Sequence, residues 1–176
     1  MSSEGNLDHQ DFVPLDFYDD KDIKTVLLPD SAKTLPECAF TGCSSLVSVT
    51  GGHLEVIGYS AFYGTALENA EFPYAKKIGY NAFGSCCNLR TLKLPLAEEL
   101  GNDLLYRGGN GTLSITLPVT LQIPQKPEPI NGEDPAHAFR GINTETVTLT
   151  LSGNPENSPA DKKWQGYTWK EILSSE

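Results

Sequence analysis

The chain has little positive charge, almost no histidine and no long apolar run, and each shortage removes a class of function. Across 176 residues, 13 Lys and Arg stand against 23 Asp and Glu, for a net charge of −10. Nucleic-acid binding needs a basic face to neutralise phosphates. No basic cluster exists here, so that class is excluded, and an anionic membrane surface is disfavoured for the same reason. No stretch approaches the roughly 18 apolar residues needed to cross a bilayer, so no transmembrane segment is expected. The opening MSSEGNLDHQDF lacks a basic n-region and an apolar h-region, so it does not read as a secretory signal. That leaves either a cytosolic chain or one whose export signal has been removed.

The scarcity of metal ligands and catalytic motifs excludes more. The histidines are His9, His53 and His137, and none stands near a cysteine at the short spacing of a zinc site. No metal or other cofactor is expected. No G-x-S-x-G is present, and GGNGT at 108–112 lacks the lysine of a phosphate loop. Asn110-Gly111-Thr112 matches a glycosylation sequon and reads as incidental. Stacked coils would bring Glu71 near Glu98 or Glu99, but all three occupy exposed positions where solvation is the default. The chain therefore reads as a non-enzyme.

What the sequence does have is a beat. Ala-Phe recurs at Ala39-Phe40, Ala61-Phe62 and Ala82-Phe83, becomes Leu104-Leu105, and returns at Ala138-Phe139. The first three steps between anchors are 22, 21 and 22 residues, a period that marks a solenoid of stacked coils. Other positions keep the same register. An apolar-Pro step ends a strand at Leu28-Pro29, Phe72-Pro73, Leu94-Pro95 and Leu117-Pro118. Ile57-Gly58, Ile78-Gly79 and Leu100-Gly101 supply corners, and small residues Cys43, Thr65, Cys86 and Gly108 follow the anchors. Leu46, Leu67, Leu89 and Leu113 close the units.

Cys43 and Cys86 share one repeat position two coils apart. At about 4.8 Å per coil they are roughly 10 Å apart, too far for a disulfide, and read as buried free thiols. Cys87 follows Cys86 directly, and Cys38 is near enough in sequence to reach Cys43.

The alternation in TLKLP turns Leu92 and Leu94 inward. Counting from each anchor, Val26, Leu28, Ala70, Phe72, Ile115 and Leu117 also point in. Ser48, Thr50, Asn69, Glu71, Thr91, Lys93, Ser114 and Thr116 point out and line up in rows on one parallel sheet. Tight corners complete each coil, with one helical or 3₁₀ turn after Ala-Phe. Tyr59, Tyr80 and Tyr106 suggest a second ladder near the corners.

The whole chain, 1–176, is expected to be a single domain. Residues 1–22 form a cap or linker, with Phe12, Val13, Leu15, Phe17 and Tyr18 as its apolar groups. Repeats run over 23–151, interrupted near 119–137 by a proline-rich insertion that stretches the Leu105–Phe139 step to 34 residues. Residues 152–176 form a C-terminal cap built on Trp164, Tyr167, Trp169, Ile172 and Leu173.

AFTGCSSL, IGYSAFYGTAL and IGYNAFGSCCNL resemble the leucine-rich repeats of BspA-like bacterial surface proteins over roughly Ile23 to Leu151, and YTWKEIL is similar to the endings of such domains. Leu104-Leu105, Thr65, Gly108 and the insertion depart from the pattern. The resemblance implies an α/β leucine-rich repeat solenoid of short parallel strands. It also implies an exported or cell-surface adhesion module that binds a protein or glycan, possible host molecules included, without catalysis. The outward rows are the expected binding face. The alternatives are a structural spacer within a larger surface protein and, from a different class, a carbohydrate-active enzyme.

Overall fold

A computed structural model of the protein describes residues 17–109, 112–123, 136–153 and 161–175. The expectations for Phe12, Val13, Leu15, Asn110, Gly111 and the centre of the insertion lie outside these residues.

The repeated anchor does what its period requires. Phe40, Phe62 and Phe83 are fully buried and stack ring over ring, 5.7 and 5.3 Å between centroids and within 16° and 15° of parallel. The backbone holds the same register. The Phe40 N–H donates to Ala61 O at 2.8 Å, Phe62 to Ala82 O at 2.9 Å and Phe83 to Leu104 O at 2.9 Å. Each phenyl removed from water contributes about 1.5–3 kcal/mol, and stacking adds to that. Phe17 continues the column upstream, 5.8 Å from Phe40, while Tyr18 beside it is 59% exposed.

The small position after the anchor has a chemical role as well as a steric one. The Cys43 thiol donates to the Phe17 carbonyl at 2.8 Å, and the Cys86 thiol donates to the Phe62 carbonyl at 3.0 Å. Each thiol thus serves a carbonyl of another coil. At Gly108 a Cβ would meet Phe83 O at 2.9 Å, so the absence of a side chain suits the spacing there. All four cysteines are free; Cys43 and Cys86 are buried, Cys38 is half-buried and Cys87 is exposed.

Each early coil carries two short strands: β1 (Thr25–Leu28) and β2 (Thr34–Leu35), β3 (Ser48–Gly51) and β4 (Val56–Ile57), β5 (Asn69–Glu71) and β6 (Lys77–Ile78), β7 (Thr91–Lys93) and β8 (Glu99–Leu100). Then follow β9 (Ser114–Pro118), β10 (Thr148–Ser152), the short antiparallel pair β11 (Lys163–Trp164) and β12 (Tyr167–Thr168), and β13 (Glu171–Ser175). The main face is a parallel sheet in the order β13-β10-β9-β7-β5, with β1-β3 as a separate parallel pair beside it. The break between β3 and β5 falls where the corner is one residue short: Phe62 to Leu67 spans five positions, Phe40 to Leu46 six.

The aliphatic residue before each corner glycine closes a short strand, Ile57 in β4, Ile78 in β6 and Leu100 in β8, and β2-β4-β6-β8 form a second parallel sheet. Glycine is required there for proximity. A Cβ on Gly79 would lie 2.5 Å from the Tyr59 backbone nitrogen, and one on Gly101 would lie 2.3 Å from that of Tyr80. The turns at Ala-Phe close by bonds three residues apart, such as Tyr63 N–H to Ser60 O at 3.0 Å. Among the described residues, the complete 3₁₀ turn is Thr144–Thr146.

Between the sheets lies one apolar core. Ala70, Leu92, Ile115, Leu117, Leu149 and Leu151 fill it from the main sheet, Phe72 and Leu94 from just beyond β5 and β7, and Leu28 from β1, with Val26 packed against it half-buried. At the C-terminal end like no longer meets like: the Phe139 ring meets Tyr167 and Trp169 edge-on, both at 5.1 Å. Trp164, Tyr167 and Trp169 are buried and Ile172 is half-buried, but Leu173 is 44% exposed and belongs to the outer face.

Candidate binding face

Pleating turns alternate residues of β5, β7, β9, β10 and β13 outward, and parallel pairing sets them side by side. Asn69, Thr91, Ser114, Thr148 and Glu171 form one row, and Glu71, Lys93, Thr116, Thr150 and Leu173 form the next. Six of the eight expected residues therefore stand together on one continuous sheet. Ser48 and Thr50 do not. They pair with Thr25 and Leu27 on the separate β1-β3 sheet, across the break between β3 and β5.

Thr148 and Thr150 extend the face and were not assigned from sequence, because the 34-residue step hid their register. The alternation of TVTLTL carried the signal. The second row ends in an exposed leucine, Leu173 at 44%, and Leu27, 73% exposed, stands on the separate β1-β3 pair. The interior is short and polar, with no aromatic anchor. Within it the Lys93 ammonium donates to Glu71 at 2.8 Å, so the two long side chains engage each other.

Stacking does not bring Glu71 to Glu98 or Glu99. Glu71 lies on the main sheet and Glu99 on the second, and each acid meets a lysine of the preceding or following coil: Lys76 with Glu98 at 3.8 Å and Lys77 with Glu99 at 3.0 Å. Lys33 likewise pairs with Glu55 at 2.7 Å, and its hydrogen bond and charge hold the Glu55 carboxyl below its ordinary value. Backbone bonds place Lys33, Glu55, Lys76 and Glu98 in one column of alternating sign.

A buried titratable cluster lies near the insertion. Asp103 replaces Asn81 in the column before the anchor and, like it, has left-handed backbone, φ 58°. Arg140 grips it with two hydrogen bonds, Nε to Oδ1 at 2.6 Å and Nη2 to Oδ2. Burial pushes the Asp103 carboxyl up, but the bonds from Arg140 and Tyr80 and the guanidinium charge outweigh it and hold it below its ordinary value. Both its oxygens are engaged, which makes it a poor proton acceptor and a strong clamp on Arg140. Beyond it the Tyr167 hydroxyl meets His137 Nδ1 at 2.9 Å.

The expected tyrosine ladder is only a pair. Tyr59 and Tyr80 stack at 5.5 Å within 8° of parallel, but the Tyr106 carbonyl accepts from Ser85, not from the residue after Tyr80. Tyr106 sits instead under the Arg140 guanidinium, 5.2 Å from its ring centre. Burial pushes the Cys86 thiol up to about 11, against a hydrogen bond with Thr65, so it has no nucleophilic character at neutral pH. Among the described residues no group of His, Cys, Asp and Glu is placed to hold a metal, and no helix is long and apolar enough to cross a membrane.

The family profile described as BspA type leucine rich repeat region matches residues 14–127 in six copies. No curated protein matches the sequence. A crystal structure of a leucine rich cell surface protein from Faecalibacterium prausnitzii A2-165 is similar at 16% identity and a TM-score of 0.38, over 92% of this chain and 62% of that one. The chain thus spans less than two thirds of that protein.

Proposed function

Because the chain belongs to the BspA-type leucine-rich repeat family, we propose that it is a non-catalytic recognition module, exported or displayed on a bacterial surface, that holds a protein or glycan partner against its main sheet. The observation that carries this reading is the pair of outward rows, Asn69–Thr91–Ser114–Thr148 and Glu71–Lys93–Thr116–Thr150, kept in register on rigidly stacked strands. Apart from the Glu71–Lys93 pair, which is already held together, short side chains there leave a shallow face that loses little conformational entropy when covered. Repeat scaffolds use such extended surfaces for recognition.

The test is binding of the purified chain to immobilised host matrix proteins and to a glycan array, beside Thr91→Arg and Thr116→Arg. A partner retained by the wild type and lost by both variants supports the reading. A partner retained equally by all three moves the site elsewhere. The spacer reading draws on the absence of an aromatic hot spot from the rows and on the mutual engagement of Glu71 and Lys93. It expects no partner in either assay.

A further inference from the structure

A second concavity lies away from the strand face, at the corner where each coil passes from the main sheet to the second one. Its volume is about 430 Å³, within the range of small-ligand sites. Its walls are two columns. One follows the strand ends: Asp30, His53, Tyr74 and Leu96, one from each of four coils. The other is the charged column Lys33, Glu55 and Lys76.

The first column grades from an acid to an aliphatic side chain. Tyr74 is 45% exposed and Leu96 51%, although both sit in a concavity where packing would have been available. The His53 and Tyr74 rings touch at 4.8 Å. His53 Nδ1 lies 3.0 Å from the Asp30 carbonyl, which only accepts, so Nδ1 donates there and that bond makes no use of Nε2. The ring is thereby fixed in orientation.

The second column disfavours ionic ligands. The Lys33 charge is matched by Glu55, and Lys76 lies between Glu55 and Glu98. An anion would have to displace a carboxylate from its lysine. A neutral polyhydroxyl ligand would not, since paired ions still present free lone pairs and N–H groups to hydroxyls. Such a ligand also has an apolar C–H face to set against Tyr74 and Leu96.

We propose that this corner groove is a binding site for a neutral oligosaccharide, with Tyr74 as the stacking platform and Asp30, His53 Nε2 and the Lys33–Glu55 pair as hydroxyl partners. The groove runs along four coils, roughly 15 Å at the usual strand spacing. That length fits a short run of sugar rings along the solenoid axis rather than a single ring. The site is independent of the strand face, so a protein partner there and a glycan here are compatible.

The test is NMR titration of the full chain with three neutral probes, cellotetraose, maltotetraose and laminaritetraose, and one charged comparator, trigalacturonate. At least one neutral probe is expected to shift the Tyr74 and His53 resonances. Tyr74→Ala should weaken that binding by about tenfold or more, while Tyr74→Phe keeps it within about threefold. His53→Ala serves as a second variant should Tyr74→Ala fail to give a native spectrum, and Lys163→Ala, exposed on β11 outside both the groove and the strand face, should leave the binding unchanged. The proposal is overturned if no neutral probe shifts these resonances at about 10 mM, if trigalacturonate binds in preference, or if the shifted resonances lie on the strand face and survive Tyr74→Ala unchanged.

Discussion

In the anchor column, from Phe17 to Phe83 each coil sets a phenyl ring on the phenyl ring of its neighbour, whereas from Asp103 onward that side of the coils meets through unlike partners. In the first region identical residues solve identical problems, and any coil is a template for the next. In the second, Leu105 interrupts the ring column and an insertion delays the next anchor to Phe139. There a buried carboxylate gripped by Arg140, and an edge-on cluster of Phe139, Tyr167 and Trp169, do the joining. The hydrogen-bonded register survives the change, with Leu104 N–H on Ala138 O at 2.9 Å. Stacking therefore needs a matched shape from coil to coil, and an apolar column is one way to supply it.

The largest effect is expected in the first region. Phe62→Ala removes a ring with neighbours on both sides and should cost about 3–5 kcal/mol of unfolding free energy, measured by urea titration. A cost under about 1 kcal/mol would mean the column does not organise the early coils.

Asp103→Ala should come next, at about 2 kcal/mol, because it removes the buried carboxylate that accepts from both Arg140 and Tyr80 while water can still reach those two. The same group predicts a pH dependence. Its folded value is depressed, so its contribution is complete above its unfolded value of about 3.9 and is lost as pH falls through the lower folded value. Thermal melts between about pH 2 and pH 6 should show a decline at the acid end that Asp103→Ala flattens. An unchanged slope in the variant would dismiss the clamp as a source of acid sensitivity.

Leu105→Phe sharpens the contrast by restoring the repeat residue where the structure has adapted to its absence. Overpacking should cost about 1–3 kcal/mol, and a gain in stability would show that the site still has room for a ring. The smallest effect belongs to Glu71 and Lys93. A double-mutant cycle across this exposed pair should return less than about 1 kcal/mol.

Much of the coil was legible because period and chemistry repeat together. Phe40, Phe62 and Phe83 announce their column by spacing, and TLKLP reveals which side of the strand is buried. Lys33, Glu55, Lys76 and Glu98 keep the same 22, 21 and 22-residue steps as the anchors, so the charged column was also readable, though hidden by attention to apolar positions. Tyr106 misled because it lies 26 residues after Tyr80, and a near-period does not set register when each residue shifts its backbone partner. The strand at Val56–Ile57 was missed because two residues are too few to alternate.

By itself the sequence determined the stacking of the coils, the inward set of side chains and the free state of Cys43 and Cys86, since these follow from regular spacing and from distances that regular spacing implies. Only the tertiary structure decided where the main sheet breaks, that Asp103 reaches Arg140 across 37 positions, and that Tyr74 and His53 share a groove wall. The reason is physical. Periodicity reports what every coil does alike, while a short corner, a long insertion and a contact between unlike side chains occur once, and the folded chain alone brings such residues within reach of each other.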